Sequence, residues 1–194
     1  MNEKPIRNVV LDAKENLIGA IRRSGDLARA DEDTVTDIVA NALRDTSAVG
    51  GELVALEAAT ITGVVHGLAE MGSEVAGEAR PVMVGVLRGA RQVGKVNLEM
   101  VGASAAALVR ATAEVGGDIA GAASGAVEGA MLVGRELGVA KEEAATVASR
   151  GALKAAGEIG GSAVERVGRA LASTLAAAKI ISEMPWRPRR SYGV

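Results

Sequence analysis

Apolar residues recur along this chain with a period of 22. One column is Leu43, Val65, Leu87, Val109, Met131, Leu153 and Leu175. A second is Val49, Met71, Val93, Val115, Leu137 and Ile159, and each of these precedes a glycine: Gly50, Gly72, Gly94, Gly116, Gly138 and Gly160. Half a repeat away, Val54, Ala76, Leu98, Ala120 and Val164 share the direction of the first column, and Glu142 breaks that run. Polar positions keep the same period. Arg44, His66, Arg88, Arg110 and Lys154 form a mostly basic column interrupted by Leu132, and Glu70, Glu114, Glu136 and Glu158 form an acidic one interrupted by Gln92.

A 22-residue repeat spread over six turns gives about 3.67 residues per turn, close to the ideal helix. The pattern therefore predicts an all-α chain of long amphipathic helices with 22-residue (2 × 11) Gly/Ala/Val repeats. The apolar arc is wider than the ~100° of an ordinary surface helix, which suits several helices around a common axis, as in a homo-oligomeric bundle or tube, or one helix lying in a lipid surface. Pairs such as Arg110 and Glu114, or Lys154 and Glu158, are i,i+4 neighbours on the polar side. They read as a solvated face, each pair adding about 0.2–0.5 kcal/mol.

The expected organisation has four parts. Residues 1–30 form an N-terminal docking helix. Residues 31–80 form a first repeat helix, with Asp31 or Asp33 as its cap. Residues 81–182 form one long repeat helix, the stalk. Residues 183–194 are a basic tail. Pro81 marks a kink or boundary, because a helix interior tolerates proline poorly, and Gly138 is a weaker break. The acidic run Asp31, Glu32 and Asp33 is read as a helix start favoured by the dipole, not as a cation site.

Composition sharpens this picture. The chain has 194 residues, no Phe, one Trp, one Tyr and 25 Gly, so aromatic packing is almost absent. Glycine inside a helix costs about 0.5–1 kcal/mol relative to alanine, so a compensating close contact is expected. The spacing-four ladder Gly117, Gly121, Gly125 and Gly129, with Gly63/Gly67, Gly85/Gly89, Gly134/Gly138 and Gly157/Gly161, suits close helix–helix approach. A net charge of −2 without a basic aromatic stripe argues against nucleic-acid binding. No signal peptide, membrane-spanning helix, thiolate metal site or catalytic set is expected, and His66 reads as a surface residue. The tail joins Trp186 to Arg187, Arg189 and Arg190, a combination suited to a membrane interface.

Two resemblances follow from these features. The 11- and 22-residue Ala/Gly/Val repeats, as in residues 115–129, resemble the lipid-coating helices of synucleins, perilipins and exchangeable apolipoproteins, without their lysine-rich interface. The layout of docking helix, Ala/Gly/Val-rich helix after Pro81 and Trp186/Arg187/Arg189/Arg190 end is similar to the membrane-associated stalk subunit of mycobacterial-type high-affinity uptake nickel–iron hydrogenases. That likeness implies a non-catalytic scaffold, peripheral on the cytoplasmic membrane. Its expected partners are further copies of itself (a tetramer), the hydrogenase large and small subunits and the membrane surface. No bound cofactor is implied, but menaquinone is, as a transported ligand. The lumen-lining residues would then be Leu87, Val93, Val109, Val115, Met131, Leu137, Leu153 and Ile159.

Overall fold

The computed structural model describes residues 3–24, 32–44, 51–94 and 96–183. It is all-α. The described residues form eight helices: α1 (Glu3–Ser24), α2 (Glu32–Arg44), α3 (Gly51–Glu70), α4 (Val75–Gln92), α5 (Leu98–Glu114), α6 (Ile119–Gly134), α7 (Lys141–Ile159) and α8 (Gly161–Glu183). The expected long stalk helix over 81–182 is not formed. That stretch folds back at Gly94, Gly116, Gly138 and Gly160, so one repeat is one short helix plus its turn.

The reason lies in the glycine column. Gly72, Gly94, Gly116 and Gly138 take φ values of +79°, +68°, +73° and +71°, a left-handed conformation that penalises any side chain. Around Gly116 the backbone closes the helix end with two reversed bonds. Gly117 N–H donates to Thr112 C=O at 2.8 Å, and Gly116 N–H donates to Ala113 C=O at 3.0 Å. The same pair recurs at Gly72 (Ser73 to Leu68, Gly72 to Ala69) and at Gly138 (Val139 to Gly134, Gly138 to Arg135). This is the Schellman ending, which satisfies carbonyls that a terminated helix leaves open. The next helix is then capped: Asn97 accepts from Met100 N–H, and Asp118 accepts from Ala120 and Gly121 N–H.

Pro81 does not mark a boundary. It lies inside α4. Asp33 is likewise within the first turn of α2, not at its cap, and Asp31 lies outside the described residues.

Each helix packs chiefly on the helix two places along and, less heavily, on its immediate neighbour. Odd-numbered helices thus form one row and even-numbered helices a second. Within a row the helices run parallel, because Gly121, Gly125 and Gly129 of α6 meet Ala76, Ala79 and Met83 of α4 in the same ascending order. The intervening helix must return in the opposite direction. The result is a two-row stack that grows along one axis, as in helical-repeat proteins. An inner helix has neighbours on both sides in its own row and across in the other, which explains the wide apolar arc without calling on other chains.

The close contacts come from small residues. A Cβ on Gly125 would sit 2.8 Å from that of Ala79, and one on Gly129 would sit 2.7 Å from Met83 Cβ and 2.9 Å from Arg80 C=O. Gly63 and Gly67 face α1 in this way, and Gly85 and Gly89 face α2. Gly117 leaves the expected ladder, serving in the turn against Thr112. Leu43, Leu68, Met83, Leu87, Met100 and Leu108 fill the interior behind these contacts.

The charged columns also pair across helices. His66 meets Glu114 at 3.1 Å, Arg110 meets Glu158 at 2.8 Å, and Arg88 meets Glu136 at 3.0 Å, each pair 48 residues apart. The i,i+4 reading located the right residues but assigned the wrong partners. Arg88 also reaches Glu32 of α2 at 2.6 Å and so ties three successive helices of the even row together. The guanidinium, chiefly through its hydrogen bond to Glu136 itself, holds the Glu136 carboxyl below the usual carboxylate range.

Three substitutions test this packing. Gly116→Ala should lower stability by about 1–2 kcal/mol from left-handed backbone strain alone, since a Cβ there meets nothing within 4 Å. Gly129→Val should cost about 3 kcal/mol through overpacking of α6 on α4; urea melts that ranked Gly116→Ala as the worse change would contradict this packing. Arg88→Ala should cost about 1 kcal/mol at low ionic strength and less in 1 M salt, because the group is about one-third exposed. A loss unchanged by salt would show that lost packing, not the ion pairs, accounts for it.

Candidate functional site

The stack has two ends, and they are finished differently. The N-terminal end is polar on α2. Asp33, Asp37 and Asn41 are exposed there, at positions where α3 carries Ala55, Ala59 and Gly63 and α6 carries Gly121, Gly125 and Gly129, although the first of them is also acidic at Glu99 and Glu143. Terminal repeats with a polar outer face are the usual way to stop such a stack.

The C-terminal end lacks that finish. The first apolar column is fully buried at Leu43, Val65, Leu87 and Val109, half-buried at Met131, and exposed at Leu153 (37%) and Leu175 (38%). Leu153 and Leu175 lie on α7 and α8, which have no helix two places further along among the described residues. Val164 (38%) and Ile159 (43%) emerge on the same grounds. Leu153, Ile159, Val164 and Leu175 lie on α7 and α8 and are all apolar. Lys154, whose counterparts His66, Arg88 and Arg110 each meet a glutamate 48 residues on, has no corresponding position left in the described chain.

The eight residues expected to line a lumen divide along the stack. Leu87 and Val109 are completely buried in the chain's own core, and Val93, Val115, Met131 and Leu137 pack against that core half-buried. Only Leu153 and Ile159 reach the surface. The apolar interior that the sequence invites is filled within one chain by its own side chains. The interface set Trp186, Arg187, Arg189 and Arg190 lies outside the described residues. His66 is on the surface, paired with Glu114. Among the described residues, no group of three or more His, Cys, Asp or Glu is placed to hold a metal ion. One segment, Glu52–Glu70 of α3, has the length and apolarity to cross a membrane, which the sequence reading did not expect; more than half of it is buried inside the stack.

A second feature was missed by sequence reasoning. Glu57 of α3 is 1% exposed. Its column otherwise reads Ala13, Val35, Ala79, Val101, Ala123, Ala145 and Val167, all buried. A lone acid in that column was the available signal. Glu57 Oε1 lies 2.5 Å from Ser104 Oγ on α5, and Ser104 Oγ donates to Met100 C=O at 2.7 Å. A hydroxyl has one proton, so this geometry is satisfied when the carboxylic acid donates to Ser104 and Ser104 donates onward. Glu57 Oε2 has no partner. Burial pushes the Glu57 carboxyl up to about 8, and a proton donated by Ser104 to the ionised form offsets only part of that cost. The group is therefore a neutral acid at pH 7.

The sign of the linkage follows. Below about pH 4.5 both folded and unfolded chains hold the proton, and the penalty is absent. Between about 4.5 and 8 the unfolded chain releases it while the folded chain keeps it, so stability falls as pH rises. At about 1.4 kcal/mol per pH unit, the loss across that window is on the order of 4 kcal/mol. Glu57→Gln should flatten this slope and stabilise the protein at pH 8. Equal slopes for the two proteins in chemical melts from pH 5 to 8 would show that Glu57 is ionised when folded.

No family model matches the chain, and no curated protein or solved structure is similar to it.

Proposed function

We propose that this protein is a non-catalytic helical-repeat scaffold that holds partner macromolecules through the surface and open end of its stack. The observation that carries this reading is the one-dimensional packing: every described helix engages only its neighbours one and two places along. Such stacks offer long, regular surfaces and are built for macromolecular contact. The unfinished end at Leu153, Ile159, Val164 and Leu175 adds an apolar contact region where an unpartnered terminal repeat would be polar.

The reading as a lipid-surface coat makes a different physical demand. A coating helix keeps its apolar face for the lipid and is largely unfolded in water. Here the apolar columns are buried against other helices of the same chain, which favours a scaffold that is folded before it meets any partner. Within the scaffold class, a membrane-bound enzyme such as an uptake hydrogenase is one candidate partner, and menaquinone a candidate passenger.

Mild extraction of the native protein, followed by mass spectrometry of co-purifying material, tests the proposal. A protein partner in fixed ratio is expected, and hydrogenase subunits with menaquinone would specify which. Recovery with lipid alone, together with circular dichroism showing a helix only when vesicles are added, would overturn the scaffold reading in favour of the coat.

A further inference from the structure

The buried acid Glu57 lies where the stack is held together least. Of the helix pairs two places apart, α3 and α5 touch least. A cut that leaves two or more described helices on each side crosses least contact when it falls between α3 and α4. In the even row, Ala79 of α4 lets α6 approach until a Cβ on Gly125 would lie 2.8 Å from its own. Glu57 holds the same column on α3, and its longer side chain occupies the space that such an approach needs. Ser104 of α5 engages one carboxyl oxygen, and Oε2 is buried without a partner. The rest of the seam is the contact of Val35 and Val39 of α2 on Gly85 and Gly89 of α4, with two partly exposed ion pairs, His66 to Glu114 and Arg88 to Glu32. Such pairs add little.

Among the described residues, no charge comes to the aid of Glu57 from the four helices packed on α3. Lys14 of α1 is drawn to Glu70, and Glu32 of α2 and Arg88 of α4 are drawn to each other. On α5, Glu114 meets His66 and Arg110 meets Glu158. Asp33 and Asp37 of α2, Arg80 of α4 and Glu99 of α5 are exposed. The Glu57 carboxyl responds to burial and to Ser104, not to a charged neighbour.

We propose that Glu57 is a pH-operated latch: when its carboxyl loses its proton, α1–α3 open away from α4–α8 while the remainder of the stack stays folded. A stack held by neighbour contacts can open at one seam without melting as a whole. In the closed form the acid donates to Ser104, and Ser104 donates to Met100 C=O. Ser104 can turn its proton to an ionised Glu57 only by giving up that carbonyl, and Oε2 still has no donor. Opening releases the proton to water and hydrates the carboxylate. The latch works whichever partner the scaffold holds.

The pH window follows from the two forms. Open, the carboxyl titrates near its ordinary 4.5; closed, at about 8. Below 4.5 both forms hold the proton and the seam is firmest. Between 4.5 and 8 the open form alone releases it, so the opening constant rises about tenfold per pH unit. Above 8 both forms are ionised and the rise ends.

The test is thiol labelling of the full chain, which has no cysteine of its own. Val39 on α2 and Val127 on α6 share one column of the repeat, are fully buried, and lie on opposite sides of the seam. Val39→Cys and Val127→Cys are made separately, and each labelling rate is divided by its rate in urea at the same pH. From pH 5 to pH 8 the protection of Val39→Cys is expected to fall about a thousandfold, and that of Val127→Cys far less. Adding Glu57→Gln should abolish the fall at Val39→Cys. Hydrogen exchange of the unsubstituted chain should agree, with α1–α3 losing protection before α5–α7. Equal falls at the two positions would show that the stack opens as a whole and overturn the latch. A fall that survives Glu57→Gln, or no fall at all, overturns it as well.

Discussion

Everything in this structure depends on a backbone that must turn left-handed once in each inner repeat. At Gly72, Gly94, Gly116 and Gly138 the positive φ ends a helix that would otherwise be free to continue. Glycine removes the steric cost of that conformation, and the reversed hydrogen bonds at each end make stopping no worse than continuing. Because the stops are evenly spaced, the helices are of similar length. Because the turns are short, each helix is delivered back alongside its predecessor. A row of parallel helices two places apart is the geometric result, and the glycine and alanine ridges then decide how closely the rows pack.

That close packing explains how a chain without phenylalanine makes a core. Small ridges let backbones approach, and dispersion between many near atoms replaces the burial of large rings. The ionic columns work with this. Arg88 spans Glu32, itself and Glu136 across α2, α4 and α6, and similar pairs at His66 and Arg110 link α3 to α5 and α5 to α7. Such partly exposed pairs add little energy singly. The shared 48-residue spacing of the His66, Arg88 and Arg110 pairs with Glu114, Glu136 and Glu158 nonetheless favours one register, since a slip by one turn would separate all three at once.

The sequence carried the period, the all-α class, the buried and charged columns and the glycine contacts at Gly63/Gly67, Gly85/Gly89 and Gly121/Gly125/Gly129, whereas Gly138, Gly157 and Gly161 meet no neighbour within 4 Å. It left one ambiguity, because 22 residues are both two 11-residue turns of continuous helix and one short helix with its connection. The stop signals were present in the second sense: Gly94 with Asn97 three residues on, Gly116 with Asp118 two on, each pair a helix end followed by a cap. Pro81 drew attention instead, yet it lies in the interior of α4 and does not end that helix. The lumen assignment at Leu87 and Val109 failed to anticipate burial inside one chain for the same reason: a continuous helix has no neighbours of its own to cover them. Glu57 could be seen only as an odd member of a column; that its column is completely buried, and that Ser104 stands opposite, depends on the folding back of α3 onto α5.

The two exceptions to the repeat have different physical characters. Glu57 breaks the apolar column where burial is deepest, and it does so at a cost that grows with pH. An alanine there would leave the α3–α5 contact intact by the standards of the neighbouring repeats, so the acid is a departure from what packing alone selects. The end at α8 departs in the opposite sense: Val164 and Leu175 keep the aliphatic character of their columns at a place where it exposes apolar surface. At the first end the pattern is dropped, with Asp33, Asp37 and Asn41 replacing small residues. At the second end the change is uneven: Glu142 and Arg169 break their columns, while Leu153, Val164 and Leu175 keep theirs and are exposed, so the two ends differ in which columns carry charge.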